Sequence, residues 1–385
     1  MTYDRYREKW MNQYPRIHDL ELMAEKRIPK VASAYMQTGT SHEALLKRNM
    51  NDLQDIHITP RFAKGELSVD LSTSLFGQKY SAPFGTAPIG LMGLIWPRAE
   101  MIVAEMAKSY NIPAGLSTVA TETPEMVGPY AGDMGWFQLY TPRDPDLRRT
   151  FLKRAKDSGY KVLMITVDIP LPSRRERTKR AGLSIPLKMG PKIIWDGMTH
   201  PAWTAATLRR GLPRLRMVES HAEFRTMMSV GKFVQGQLGG NLSWDICAEI
   251  KEEWGGPVLI KGILDVRDAE KAASLGMDGI VVSNHGGRQF DGAPSPIKVL
   301  PEIVAAVGDQ MKIVFDSGIR SGLDIMRALW LGADFVLCGR AYLYGLGALG
   351  KLGAYHVTEL LMLQLQNNMH QIGASDLAQL KRQEI

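Results

Sequence analysis

The sequence predicts an α/β fold, a single (β/α)8 TIM barrel with an N-terminal helical extension and a long basic insert after the fourth strand. Three observations lead there. Eight short β-rich runs recur along the chain, most are followed by a helix-like amphipathic stretch, and nearly every run ends in a chemically capable side chain. Strand–helix alternation with apolar strands implies a parallel sheet, because the crossover helices must cover its faces. Eight units argue for closure, which brings the C-terminal strand ends to one mouth. An open doubly wound sheet, the structural alternative, spreads those ends along an edge.

In order, the runs are residues 83–88 (PFGTAP), 113–117 (PAGLS), 136–140 (WFQLY), 162–168 (VLMITVD), 257–262 (PVLIKG), 279–285 (GIVVSNH), 312–318 (KIVFDSG) and 335–340 (FVLCGR). Segments 144–158, 266–275, 297–307 and 323–331 read as intervening helices, with Gly159, Gly276 and Gly332 at their ends. Residues 1–80 read as a mainly helical cap, with 20–38 its clearest helix, and 374–385 as a tail behind the 81–373 barrel. Residues 176–243 are too long for an ordinary connection of about 2–6 residues and form the insert.

Of 385 residues, 45% are hydrophobic and 23% charged, which supplies a core and excludes a disordered or fibrous chain. The two cysteines, Cys247 and Cys338, lie far apart with no CxxC or His pair, so neither a disulfide scaffold nor a metal site is indicated, and a cytoplasmic compartment fits. No secretory signal or spanning segment is read. The net charge of +7 resides in one place: residues 174–225 carry twelve Lys/Arg against four acids. Such a stretch calls for an anionic partner. No nucleic-acid module or aromatic stacking platform accompanies it, which argues against nucleic acid.

The densest motif is Ser283-Asn284-His285-Gly286-Gly287-Arg288. It places an imidazole suited to general base work and a guanidinium suited to a carboxylate just past a strand end. Asp316 to Gly322 (DSGIRSG) and Gly339-Arg340 follow the last two strands, the usual barrel location for a phosphate. Lys261 ends an apolar run and reads as a Schiff-base nucleophile, as counter-charge for a bound anion, or as half of a structural ion pair. Asp168 is read as orienting or balancing His285, or as a turn former. Gly345 to Gly350 satisfies GxGxxG but opens no βαβ unit, so a glycine-rich helix start is expected there.

These strings together resemble the FMN-dependent α-hydroxy acid oxidase/dehydrogenase family over about residues 28–373, through SNHGGRQFDG (283–292), KG (261–262), FQLY (137–140), TVDIPLPSRRE (166–176) and DSGIRSGLD (316–324). The resemblance implies FMN in the mouth, with Pro88, Ile89 and Gly90 and the side chains of Ser117, Gln138 and Thr166 at its ring, and Ser283 in the same cofactor set. It implies Lys261 at the flavin edge and Asp316, Gly318, Arg320, Gly339 and Arg340 at its phosphate. Tyr35, Arg175 and Arg288 are implied to bind a 2-hydroxy acid carboxylate, Tyr140 its hydroxyl, and His285, backed by Asp168, to take its proton.

The branch it resembles most is that of bacterial mandelate and L-lactate dehydrogenases. Gly90 stands where the oxidases carry Ala, which implies a quinone-type acceptor, with a soluble, peroxide-producing oxidase as the alternative. The insert, with Met189, Trp195, Met198 and Trp203 among its cations, resembles a membrane-binding segment on anionic lipid over residues 176–225, hence peripheral attachment at the inner face of the cell membrane. The family further implies a homotetramer. Val119 and residues 89–94 are expected to shape the side-chain pocket, with a lean toward mandelate-like substrates.

Overall fold

In the computed structural model, which describes residues 3–184, 190–219 and 242–381, β1 (Thr73–Leu75) and β2 (Gln78–Tyr80) form a hairpin. Eight further strands close a parallel barrel in chain order: β3 (Phe84–Thr86), β4 (Ala114–Ser117), β5 (Gly135–Leu139), β6 (Val162–Thr166), β7 (Val258–Ile263), β8 (Gly279–Val282), β9 (Lys312–Asp316) and β10 (Phe335–Cys338), with β10 returning to β3. Each of the eight predicted runs overlaps one of these strands, six enclosing it fully and two, 136–140 and 257–262, missing one terminal residue.

Alternation along the strands sorts the side chains. Trp136, Met164, Leu259, Val281, Val314 and Leu337 form one buried cluster inside the barrel. Two residues further along each strand come Gln138, Thr166, Lys261, Ser283, Asp316 and Gly339. The apolar interior is therefore capped at its C-terminal end by a polar layer, and the site stands on that layer.

The N-terminal region departs from expectation twice. Helices α1 (Asp4–Gln13), α2 (Ile17–Arg27), α3 (Lys30–Gln37) and α4 (Ala44–Gln54) are present, but the single helix read over 20–38 is two. Pro29 forces its predecessor out of the helical region, and Ile28 sits at φ −112°, ψ 150°. Secondly, residues 73–80 are not helical but the β1–β2 hairpin, turning at Phe76 and Gly77 with positive φ at both. Its Leu75 and Tyr80 join the barrel interior, where the Tyr80 hydroxyl accepts from Trp136 Nε1 at 3.1 Å. The hairpin thus closes the end opposite the site.

Two other segments are settled by packing. Residues 374–381 dock onto the body: the Asp70 N–H donates to the Ser375 carbonyl at 2.8 Å, and Leu380 is buried. The GxGxxG glycines lie in or at the end of the helix Arg340–Leu349, where a Cβ on Gly347 would stand 2.8 Å from Ala24 of α2. They serve helix packing.

The described part of the insert comprises the helices Glu176–Arg180, Pro191–Met198, Pro201–Arg210 and Arg216–Glu219; Lys188, Met189 and Arg225 lie outside the described residues. Several of its cations face inward. Arg210 grips the buried Glu122 carboxylate through Nε and Nη2 at 2.7–3.1 Å, and Arg216 approaches it at 3.4 Å. Arg214 pairs with Glu219 and Arg177 with Glu43. Trp203, grouped by sequence with the lipid-facing residues, is buried and donates to the Leu94 carbonyl at 3.0 Å. Ile194, Trp195, Met198 and Leu208 remain exposed.

Candidate active site

Three consecutive residues after β8, His285, Gly286 and Gly287, adopt positive φ of 58°, 63° and 74°. Glycine takes this conformation freely, whereas the histidine is strained in it and must be held. The Ser283 hydroxyl accepts the His285 N–H at 3.1 Å, Ser317 accepts that of Gly286 at 3.0 Å, and Asn284 Oδ1 accepts that of Gly287 at 3.0 Å. Asn284 is locked in turn by paired amide hydrogen bonds with Asn49 of α4, at 2.7 and 3.0 Å.

This turn aims the imidazole between two partners. Nδ1 lies 3.0 Å from Asp168 Oδ1, and Nε2 lies 3.3 Å from the Tyr140 hydroxyl. Asp168 comes this close because Gly262, at a bulge in β7 with φ 112°, has no Cβ; one there would stand 2.6 Å from that of Asp168.

Burial pushes His285 below its ordinary 6.5, with Lys261 and Arg175 adding to the fall against the opposing pull of Asp168. For Asp168, burial raises the carboxyl, but His285 and Lys261 outweigh it and hold it below its usual range. The pair at neutral pH is therefore imidazole beside carboxylate. With Nδ1–H donated to Asp168, the Nε2 lone pair faces the cleft. Burial, then Asp168, raises Tyr140 well above its ordinary value, so it stays a phenol and a donor.

Lys261 is buried, with its ammonium 2.8 Å from Asp316 Oδ2 and donating to the Ser283 hydroxyl at 2.8 Å. Both contacts engage the Lys261 nitrogen within the polar layer, beneath the cleft. The Asp316 carboxylate, in the cleft wall, accepts from Lys261 and from the Ser317 hydroxyl, both at 2.8 Å.

Above this layer, a cleft of about 600 Å³ is lined by Tyr35, Pro88–Gly90, Val119, Tyr140, Arg175, Lys261, His285, Arg288 and the loops carrying Arg320 and Arg340. The guanidinia of Arg175, Arg288, Arg320 and Arg340 have no acidic partner among the described residues, whereas that of Arg174 lies 3.8 Å from Glu176. Arg288 donates to the Tyr35 carbonyl at 3.0 Å and stacks 4.7 Å over the Tyr35 ring, while its Nη2 is buried with no hydrogen-bond partner. Burial, then Arg175, pushes Arg288 down to about 9. Arg175 donates only to neutral groups, Ser173 Oγ and Gln289 Oε1, both at 3.1 Å. Arg340 is engaged with the carbonyls of Met36, Thr38 and Gly286, and burial followed by Arg320 pushes it down to about 10. Arg320 donates to the Ile319 carbonyl and lies 5.3 Å from the Tyr344 ring. Uncompensated buried cations with an orphan N–H fit anionic ligands.

Ser117, Gln138 and Thr166 form a hydrogen-bonded row across β4, β5 and β6, with Ser117 Oγ donating to Gln138 Oε1 at 2.7 Å and Gln138 Nε2 to Thr166 Oγ1 at 2.9 Å. Gly318 and Gly339 lie in the cleft wall beside Arg320 and Arg340. The Tyr35 hydroxyl donates to the Gly90 carbonyl at 2.6 Å. Sequence reasoning missed four contributors: Ser317 and Asn49, which pin the His285 turn, Gln289, which holds Arg175, and Leu215, which the insert delivers to the cleft wall. For the first two the signal lay only in contacts distant along the chain.

A barrel mouth carrying a neutral imidazole on a carboxylate, an ammonium beneath it and guanidinia without acidic partners among the described residues is chemically suited to anionic ligands. The sequence profile of the FMN-dependent dehydrogenase family matches residues 24–385, and the chain belongs to that family. It is 40% identical over 368 residues to an L-lactate dehydrogenase of Ectopseudomonas mendocina (strain ymp), covering 94% of this chain and 96% of that one. It is 37% identical over 371 residues to an L-lactate dehydrogenase of Vibrio cholerae serotype O1 (strain M66-2), covering 95% and 97%. Among solved structures, the monotopic membrane protein (S)-mandelate dehydrogenase superposes with a TM-score of 0.90 at 32% identity, covering 95% and 97%. A mandelate oxidase superposes with a TM-score of 0.82 at 30% identity, covering 96% and 97%. The chain is thus an FMN-dependent 2-hydroxy acid oxidoreductase.

Proposed function

We propose that this enzyme oxidises an L-2-hydroxy acid with an apolar side chain, lactate foremost, to the 2-keto acid and delivers the electrons to a quinone-type acceptor. The observation that carries the reading is the His285–Asp168 pair facing the acid-free guanidinia of Arg288 and Arg175. In this reading Arg288 Nη2, Arg175 and the Tyr35 hydroxyl hold the substrate carboxylate, and Tyr140 donates to the substrate hydroxyl oxygen. His285 Nε2 takes a proton from the substrate, and Asp168 stabilises the imidazolium that forms. FMN supplies the two-electron acceptor. Arg320 and Arg340, with the backbone at Gly318 and Gly339, would hold its phosphate, and Pro88–Gly90, Ser117, Gln138, Thr166 and Ser283 would border its ring. Lys261, charged by its pairing with Asp316, would offset negative charge on the reduced ring.

The substrate choice rests on two supports. The 37–40% identity to proteins named L-lactate dehydrogenase favours a small aliphatic side chain, and the apolar wall of Ile89, Leu91, Val119 and Leu215 accepts one. An aromatic side chain is the second reading, favoured by the TM-score of 0.90 against (S)-mandelate dehydrogenase. The acceptor choice rests on Gly90, where a Cβ would stand 2.6 Å from Val119 Cγ2. We further propose peripheral membrane attachment through the exposed part of the insert, a homotetramer, and the division into cap, barrel and insert described above. No described helix is long and apolar enough to cross a membrane.

Anaerobic titration of the flavin spectrum with L-lactate, longer aliphatic acids and L-mandelate, followed by air or a soluble quinone, tests this. Bleaching by L-lactate that persists in air and reverses with quinone is expected. Immediate reversal in air would make the protein an oxidase.

A further inference from the structure

The helix Pro191–Met198 has two faces. Ile194, Trp195 and Met198 are 48%, 68% and 67% exposed, whereas the Asp196 side chain between them is only 12% exposed. Its Oδ2 accepts the backbone N–H of Lys30 at 2.6 Å. Lys30 is the first residue of α3, and the preceding residue, Pro29, makes no side-chain cap bond. The free N–H groups of a helix start are ordinarily satisfied by a local Ser, Thr, Asp or Asn. Here a carboxylate 166 positions away does so, where the helix dipole also favours negative charge.

The other end of α3 lies in the active site. Tyr35 donates to the Gly90 carbonyl and underlies Arg288, whose Nη1 binds the Tyr35 carbonyl. The carbonyls of Met36 and Thr38 take Arg340. Eight residues, about 12 Å of helix, therefore join an insert carboxylate to three groups of the cleft. A second tie, Arg177 donating to Gln37 Oε1 at 2.9 Å, bounds what the first alone contributes.

We propose that Asp196 is a positioning residue for substrate-carboxylate binding. By capping α3 from the insert it fixes the axial and rotational setting of Tyr35 and, through the Tyr35 carbonyl, of Arg288, so that the exposed apolar helix and the active site move as one unit. The proposal rests on the reading of Tyr35 and Arg288 as carboxylate ligands.

The same hydrogen bond can be removed from either side in the full-length holoenzyme. Asp196→Ala deletes the acceptor, and Lys30→Pro deletes the donor at a first-turn position where proline is tolerated. Each is expected to raise KM for the hydroxy acid about three- to tenfold, the scale of a lost cap, with kcat of anaerobic flavin reduction changed less than about twofold. Asp196 Oδ1 also lies 3.6 Å from His200 Nδ1, so the double variant should match Asp196→Ala, because Lys30→Pro removes a contact already lost with the carboxylate. Asp196→Asn, which keeps an acceptor oxygen, should restore most of the affinity. Additive effects, an unchanged KM, or a fall in kcat with loss of bound flavin would each overturn the proposal. Tyr35→Phe separates the two levels. If it raises KM while the Asp196 and Lys30 variants do not, only the coupling fails; if it leaves KM unchanged, the carboxylate reading fails and the coupling with it.

Discussion

At the scale of single residues, the strained His285 turn sets the chemistry. Removing the proposed base in His285→Ala is expected to slow flavin reduction by about 10²–10⁴-fold, with the flavin still bound, as read by anaerobic stopped-flow absorbance. The pH profile follows from the direction of the shifts. Because burial depresses His285, the neutral form persists below 6.5, and kcat/KM should fall with acid along a limb centred under that value. Asp168→Asn removes the group that pulls His285 upward, so the limb should move to still lower pH while the maximal rate falls, since the imidazolium loses its carboxylate. A limb moving to higher pH would contradict the assignment of Nε2 as the base. Gln138, Tyr140, Thr166, Asp168, Lys261, Ser283, His285 and Asp316 were legible as a set because they end strand runs, whereas Tyr35 and Arg175 came only with the family resemblance. An ion pair at Lys261 was among the readings, but that Asp316 is its partner was not legible, since the two sit on β7 and β9 and only the closed polar layer brings them together.

At the scale of elements, the barrel strands announced themselves because an apolar run bounded by Gly or Pro is a local signal. The β1–β2 hairpin did not, because its Phe76–Gly77 turn lacks the Asn-Gly or Asp-Gly pair that marks such a turn. The break between α2 and α3 was readable at Pro29, but the surrounding helical pattern outweighed it. The inward face of the insert could not be read at all: Arg210 and Arg216 look like any solvated cations until Glu122 appears beneath them. That contact has an energetic consequence. Arg210→Ala leaves a buried carboxylate facing only Arg216 at 3.4 Å, and an unsatisfied charged group of this kind costs about 1–3 kcal/mol. Urea unfolding of the holoenzyme should show that loss, and Glu122→Gln, which removes the charge as well, should lose less than Arg210→Ala.

At the scale of the whole molecule, charge and apolar surface act in different proportions from those the composition implies. Of the twelve basic residues in 174–225, Arg174, Arg177, Arg210, Arg214 and Arg216 are paired with carboxylates. The exposed apolar groups Ile194, Trp195, Met198 and Leu208 belong to the insert, which leaves β6 at its C-terminal end, and Leu171 and Phe290 follow β6 and β8 on that same side. The cleft mouth and these apolar groups therefore both belong to segments that leave the C-terminal end of the barrel, the arrangement that the proposed lipid-dissolved acceptor would require. Attachment to anionic vesicles should then depend more on apolar burial than on charge. Burying a side chain the size of Trp or Ile contributes about 1.5–3 kcal/mol, so the double change Ile194→Ser with Trp195→Ser should lower vesicle partitioning at least about tenfold. Raising salt from about 0.1 M to about 1 M shortens the reach of charge from about 10 Å to about 3 Å and should weaken the wild type less than that double change does. Co-sedimentation measures both, with dye-linked turnover as the control for an intact active site. Release of the wild type by salt alone, with the serine variant binding as before, would return the attachment to simple electrostatics.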